Sequence, residues 1–277
     1  MRWGRLLVEN HRGVPVPRVL GIALAIDAVV WTIVVATIRE VGAAGWGALA
    51  GLLLVFGAGL IDDLAPPGPR GLRNHLRSVA SGRATTGLIK VVVIVGSAVV
   101  VVALQPDRET SVTVLGVVLL SGSANVWNDL DVVPGRSIKA FVLPALAFAI
   151  WGESTDAPAV VGLLVGAVAV LPFDLRESAM LGDGGANLLG FAAGIALYDV
   201  LPDPWVAVAA GVAVVLNVLA ETVSFSRVIT VTGSPPTGSI SSETTGPTGQ
   251  KVSKPLPRVH WPSLFCRSRA VTSLTMV

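Results

Sequence analysis

Asp62 and Asp63 stand side by side at the end of an uncharged run that extends from Val41 to Ile61. Two adjacent carboxylates repel each other, and keeping both ionised at neutral pH calls for a compensating cation. A hard divalent ion with oxygen ligands, Mg²⁺ above all, is the usual partner. An isolated Asp-Asp pair suits an N-cap or a solvated turn equally well, so its meaning depends on what accompanies it.

Three other groups accompany it. Lys90 follows Thr85-Thr86-Gly87 and opens an apolar stretch, where a charge is costly unless it faces a polar cavity or snorkels outward. Between Asp63 and Lys90 lie Arg70, Arg73, Arg77 and Arg83. This basic patch suits a lipid phosphate or a nucleotide diphosphate, and it suits plain retention of positive charge on one membrane face as well. Next, Asn125, Asn128 and Asp131 recur at i, i+3 spacing. On a helix they are expected to form one polar stripe able to hold a ribose, a base edge or a metal-bound water, the plainer alternative being a frayed helix end. Arg136 follows closely. Finally, Met180-Leu181-Gly182-Asp183-Gly184-Gly185-Ala186-Asn187 precedes another apolar run. Its glycines let backbone approach a ligand, and the N–H groups of a helix start attract phosphate. Asp183 reads either as an N-cap or as a metal carboxylate complementing Asp62 and Asp63. Near the N-terminus, Asn10 to Arg18 reads as a charged turn leading into the first helix.

The elements that must position these groups are membrane helices. Of 277 residues, 52% are hydrophobic and 14% charged, with a mean hydropathy of +0.73; this excludes an ordinary soluble protein. Spanning the hydrocarbon takes about 20 apolar residues. Such segments fall near 19–38, 43–61, 86–104, 112–128, 138–151, 158–173, 186–201 and 205–226, the fifth and sixth being short. The expected fold is therefore all-α, a polytopic membrane protein of about eight transmembrane helices. Cys266 is the single cysteine, so neither an internal disulfide nor a thiolate zinc cluster is available. No removable signal peptide, phosphate-binding glycine loop or internal repeat is evident, and no nucleic acid is expected as a partner.

Charge fixes the expected orientation. With the N-terminus in the cytoplasm, 18 of the 20 Lys and Arg residues fall on the cytoplasmic side, leaving Arg39 and Arg108 outside, as the positive-inside rule requires. The same face then carries Asp62, Asp63, Asp129, Asp131, Asp174, Glu177 and Asp183. Within the membrane, Asp27 reads as structural, and Glu221 as snorkelling or lining the site. The chain divides into a transmembrane domain, 1–229, and a tail, 230–277. Between Thr232 and Pro257, 19 of 26 residues are Ser, Thr, Pro or Gly, a composition expected to be disordered.

Taken in order, N-x-x-G-x-x-x-P at 10–17, Asp-Asp at 62–63, Thr-Thr-Gly-x-x-Lys at 85–90, Asn-x-x-Asn-x-x-Asp at 125–131 and Met-Leu-Gly-Asp-Gly-Gly-Ala-Asn at 180–187 resemble the polyprenyl-phosphate N-acetylhexosamine-1-phosphate transferases. The resemblance covers about residues 10–229. It implies Mg²⁺-dependent transfer of a sugar 1-phosphate from a UDP-sugar to a polyprenyl phosphate in the plasma membrane, with release of UMP and the active site cytoplasmic. By matching positions it implies that Asp62 deprotonates the lipid phosphate and that Asp62, Asp63 and Asp183 organise the metal. Lys90 then lies near the diphosphate, with Asn125, Asn128, Asp131, Arg136 and Asn187 on the substrate side. A homodimer is compatible with it.

The sequence departs from the family pattern where Val132-Val133-Pro134-Gly135-Arg136 replaces Asp-Gly-x-Asp-Gly, where Met180 replaces an aromatic residue, and where a histidine-rich loop is missing. A divergent or truncated member is expected, and a catalytically inactive one is an alternative. A prenyltransferase would need Asn-Asp-x-x-Asp, which Asn128-Asp129-Leu130-Asp131 misses by one position. A transporter would place its charges near the bilayer midplane, whereas these cluster at helix ends.

Overall fold

The structure is a computed structural model that describes residues 6–9, 13–65, 86–152 and 156–222. The basic loop with Arg70, Arg73, Arg77 and Arg83, and the tail from 230, lie outside the described residues. Among those described, eight helices follow one short hairpin: α1 Leu20–Ile38, α2 Ala43–Leu64, α3 Thr86–Ala103, α4 Thr110–Leu130, α5 Arg136–Trp151, α6 Pro158–Leu175, α7 Gly182–Val200 and α8 Asp203–Thr222. This is the all-α polytopic fold expected. The widest disagreement at a helix start is α7, expected at 186 and observed at 182.

Six of these helices are long and apolar enough to cross a bilayer; α5 and α7 are not among them. The shortfall in α7 follows from its surroundings. It is the hub of the bundle, packed against α2, α4, α5 and α1, with nearly every residue from Gly182 to Ala196 buried. Its neighbours are protein, so it carries small residues rather than bulky lipid-facing ones. A Cβ on Gly21 of α1 would stand 2.7 Å from Gly185 Cα, and one on Gly59 of α2 would stand 2.7 Å from Gly184 Cα. Backbone thus meets backbone where α1 and α2 cross the start of α7. Phe191, Leu188, Leu189, Leu120, Leu52 and Phe141 fill the deeper core. Helix α3 lies outside, against α2 and α4, and α8 lies against α4. Their valine-rich outer faces are exposed, as lipid contact requires. Asp27 sits in the seam between α1 and α6, packed on Gly166.

The N-terminal segment is more ordered than a charged turn. Leu7–Glu9 (β1) and Pro15–Pro17 (β2) pair antiparallel, with Val8 opposite Val16, and Val16 is buried. Pro15 and Pro17 hold extended backbone without needing a donor of their own. At the far end of the bundle, Arg108 donates to the carbonyls of Leu201 (3.2 Å) and Asp199 (3.3 Å), lies 4.7 Å from the centre of the Tyr198 ring and pairs with Asp203 at 3.4 Å. It closes the C-terminus of α7, where cations are favoured.

Because Gly59 touches the backbone of α7, Gly59→Ala is expected to cost about 1–3 kcal/mol through overpacking. Gly57→Ala, which meets nothing within 4 Å, is expected to leave stability unchanged. Thermal unfolding of the two variants in detergent checks this; equal melting temperatures would contradict it.

Candidate active site

Four elements deliver polar side chains to one end of the bundle: the last turn of α2, the second turn of α3, the start of α7 and the end of α4 with the connection after it. Helix α2 ends at Leu64, where Ala65 turns to extended backbone (φ −71°, ψ 154°), which leaves Asp62 and Asp63 in its final turn. Lys90 reaches in from α3 and is itself buried. Its Nζ lies 3.1 Å from Asp183 Oδ2 and 3.5 Å from Asp62 Oδ2. One ammonium therefore bridges the acids of α2 and α7.

Asp63 faces elsewhere. Its Oδ1 accepts a hydrogen bond from Arg18 Nη1 at 2.7 Å, and its Oδ2 accepts one from the backbone N–H of Gly184 at 3.2 Å. The Asp63 side chain is 5% exposed, against 24% for Asp62 and 39% for Asp183. Asp63 is thus consumed in fastening the start of α7, and Gly182, at φ +69°, leaves the room it occupies. Arg18 is held in turn by backbone. It forms a parallel bridge with Met180, the Met180 N–H donates to Pro17 O at 2.9 Å, and the Leu20 N–H donates to Met180 O at 3.2 Å. The hairpin is in this way latched to the connection that precedes Asp183.

Asp131 closes α4, its N–H donating to Asn128 O at 3.3 Å. Burial pushes its carboxyl well above the usual carboxylate range, and the neighbouring Asp174, Asp183 and Asp63 push it further, against the pull of Arg18. Asp174 is almost fully buried and accepts the backbone N–H of Gly135. Gly135 adopts φ +73°, so this one bond pins the connection carrying Asp131 and Arg136. Asn187 is fully buried and donates from Nδ2 to the Asp183 carbonyl and to Asn128 Oδ1 at 3.3 Å, tying α4 to α7.

The expected residues Asp62, Asp63, Lys90, Asn128, Asp131, Asp183 and Asn187 are therefore brought together. Asn125 is not. Its Nδ2 donates to Asn217 Oδ1 of α8 at 2.6 Å, and Asn217 donates to Gly122 O at 3.0 Å and Ala213 O at 2.7 Å. With 3.6 residues per turn, two successive i, i+3 steps drift by about 120° around the axis, which separates Asn125 from Asp131. Arg136 makes no ion pair with a described residue. Sequence reasoning left Arg18 and Asp174 without roles. The signal for Asp174 was an acid just inside an apolar span, which requires a partner; for Arg18 it was a cation at the mouth of α1.

The chemistry of these groups bears on a metal. All donors are hard oxygens. Among the described residues no group of three acidic, histidine or cysteine side chains is arranged to hold an ion alone, so the expected grip of Asp62, Asp63 and Asp183 on one ion is not formed. Asp62 and Asp183 remain open, and Mg²⁺ is commonly bound by one or two carboxylates with phosphate and water completing the shell. The residues present fit that mode.

A protein-family model described as Glycosyl transferase family 4 matches residues 45–200. No curated protein matches the chain.

Since its raised titration point favours the neutral carboxyl, Asp131 contributes full stability below the usual value of 3.8 and loses that contribution as pH rises through the higher value of the folded state. Asp131→Asn is accordingly expected to raise the melting temperature in chelator at pH 8, and much less at pH 4. A variant less stable than the parent at pH 8 would refute this.

Proposed function

Because the chain belongs to glycosyl transferase family 4, the polyprenyl-phosphate hexosamine-1-phosphate transferases, we propose that it moves a sugar 1-phosphate from a UDP-N-acetylhexosamine to undecaprenyl or decaprenyl phosphate. UMP is released, and the product is a lipid intermediate for peptidoglycan or another cell-envelope polysaccharide. The reaction runs at the cytoplasmic face of the plasma membrane.

A phosphate oxygen of the lipid attacks the phosphorus that bears the sugar. The bond from that phosphorus to the bridging oxygen breaks, and the oxygen leaves with UMP. Asp62, at the open end of α2, takes the last proton of the lipid phosphate. Lys90 faces the diphosphate and offsets charge there, while Asn128, Asn187 and Asp131 line the donor side. Asp63 and Arg18 fix the start of α7, so that Asp183 is presented at a constant position. Asp62 and Asp183 would hold Mg²⁺, which when bound supplies Lewis-acid stabilisation of the phosphoryl oxygens. Attack of one phosphate anion on another requires such neutralisation, and positioning supplies much of the remainder.

The observation that carries this reading is the convergence of Asp62 and Asp183 on Lys90 at the end of a membrane bundle. The test is UMP release from a panel of UDP-sugars by purified protein. Release is expected only with polyprenyl phosphate and Mg²⁺ both present, and Asp62→Asn and Asp183→Asn are each expected to lower kcat by about 10²–10³. Turnover that survives both substitutions would exclude the assignment.

A further inference from the structure

Lys90 stands where a divalent ion shared by Asp62 and Asp183 would have to stand. Its Nζ contacts Oδ2 of both residues, at 3.5 and 3.1 Å. These are the two carboxylates that keep solvent-facing oxygens, since Asp63 is spent on Arg18 and the Gly184 N–H. A magnesium ion bound between the same oxygens sits about 2.0–2.1 Å from each ligand, which would bring two positive centres into near contact. At such separations like charges repel strongly in a partly buried site, the more so when one of them is doubly charged. The ammonium and the metal cannot occupy that gap together.

Two features make Lys90 able to leave. Its charge sits on a flexible four-carbon stem with no directional fork to hold it, and its bonds go to carboxylates that are themselves partly exposed. Arg18, in contrast, is locked to Asp63 by a short bond and by the backbone bridge to Met180. Of the two cations paired with these acids among the described residues, one is fixed and one is exchangeable.

We propose that Lys90 is a tethered counter-cation: it holds Asp62 and Asp183 together in the metal-free protein and is exchanged out when a divalent ion enters, freeing its ammonium for the incoming diphosphate. The proposal rests on the functional reading above for the identity of the metal site. Two properties follow. Without a nucleotide, metal binding is weakened by the need to displace Lys90. Loss of Lys90 leaves two carboxylates facing one another without a compensating cation among the described residues, so the metal-free protein becomes dependent on divalent ion for stability.

The test measures Mn²⁺, a paramagnetic stand-in with the same preference for oxygen ligands, binding to purified full-length protein by electron paramagnetic resonance in the absence of nucleotide. Lys90→Met is expected to bind Mn²⁺ more tightly than the parent by about ten-fold or more, because a competing charge is gone. Its melting temperature is expected to fall in chelator and to be restored by Mn²⁺, a rescue much larger than in the parent. Lys90→Gln, which keeps a polar head and folds more readily, is expected to do the same. Unchanged or weaker Mn²⁺ binding in both variants overturns the exchange while leaving the transferase reading intact. If the parent and both variants bind no Mn²⁺ at all, while Asp183→Asn behaves identically, the metal site fails and the exchange with it.

Discussion

Mutual repulsion among carboxylates gathered at one membrane boundary is the constraint around which the rest of the molecule is arranged. Asp62 and Asp63 arrive from α2, Asp131 from the end of α4, Asp174 from α6 and Asp183 from α7. Left alone they would drive these helices apart. Each is answered by a different device: Lys90 spans Asp62 and Asp183, Arg18 and a backbone N–H answer Asp63, and the Gly135 N–H answers Asp174. Asp131 has the least compensation and responds by favouring its neutral form. In the proposed reaction, an arrangement so costly to assemble would serve to attract a cation and polyanionic substrates.

The glycines of α7 make the gathering possible. A helix that carries the acidic residue in its first turn must let α1 and α2 approach to backbone contact just beyond it, and Gly184 and Gly185 do so against Gly59 and Gly21. The motif read as a phosphate-approach loop is therefore also a packing motif. One short sequence, Gly182 to Asn187, sets the height of Asp183, receives Asp63 and anchors Asn128 through Asn187. The polar end and the hub of the bundle share the same residues.

What was legible in the sequence was whatever depends on local hydrophobic runs and on residue identity. Six of the eight helices were readable because bilayer thickness fixes their length, and α5 and α7 from their apolar runs. The convergence of α2, α3, α4 and α7 was readable because their polar residues all fall at ends on one side. Direction around each helix was not. Asn125 was placed with Asn128 and Asp131 by spacing, yet its partner is Asn217, an intramembrane amide that also needed one; two such groups in neighbouring helices satisfy each other before either serves a ligand. The hairpin was missed for a related reason. Its strands are three residues each, too short for an alternating pattern, and they are secured by Met180, far along the chain.

The different fates of Asp62 and Asp63 follow from helix geometry alone. Successive residues on an α-helix point about 100° apart, so two adjacent carboxylates near the end of α2 set out in different directions. If one faces the gap between α2 and α3, where Lys90 enters, the other faces the N-terminus of α7. There the free N–H groups and positive dipole end favour an anion, and the carboxylate is drawn into capping. The pair thus divides between two sets of partners. Asp63 fixes α7 relative to α2, and that rigidity is what lets Asp62 and Asp183, from separate helices, keep a separation one cation can span.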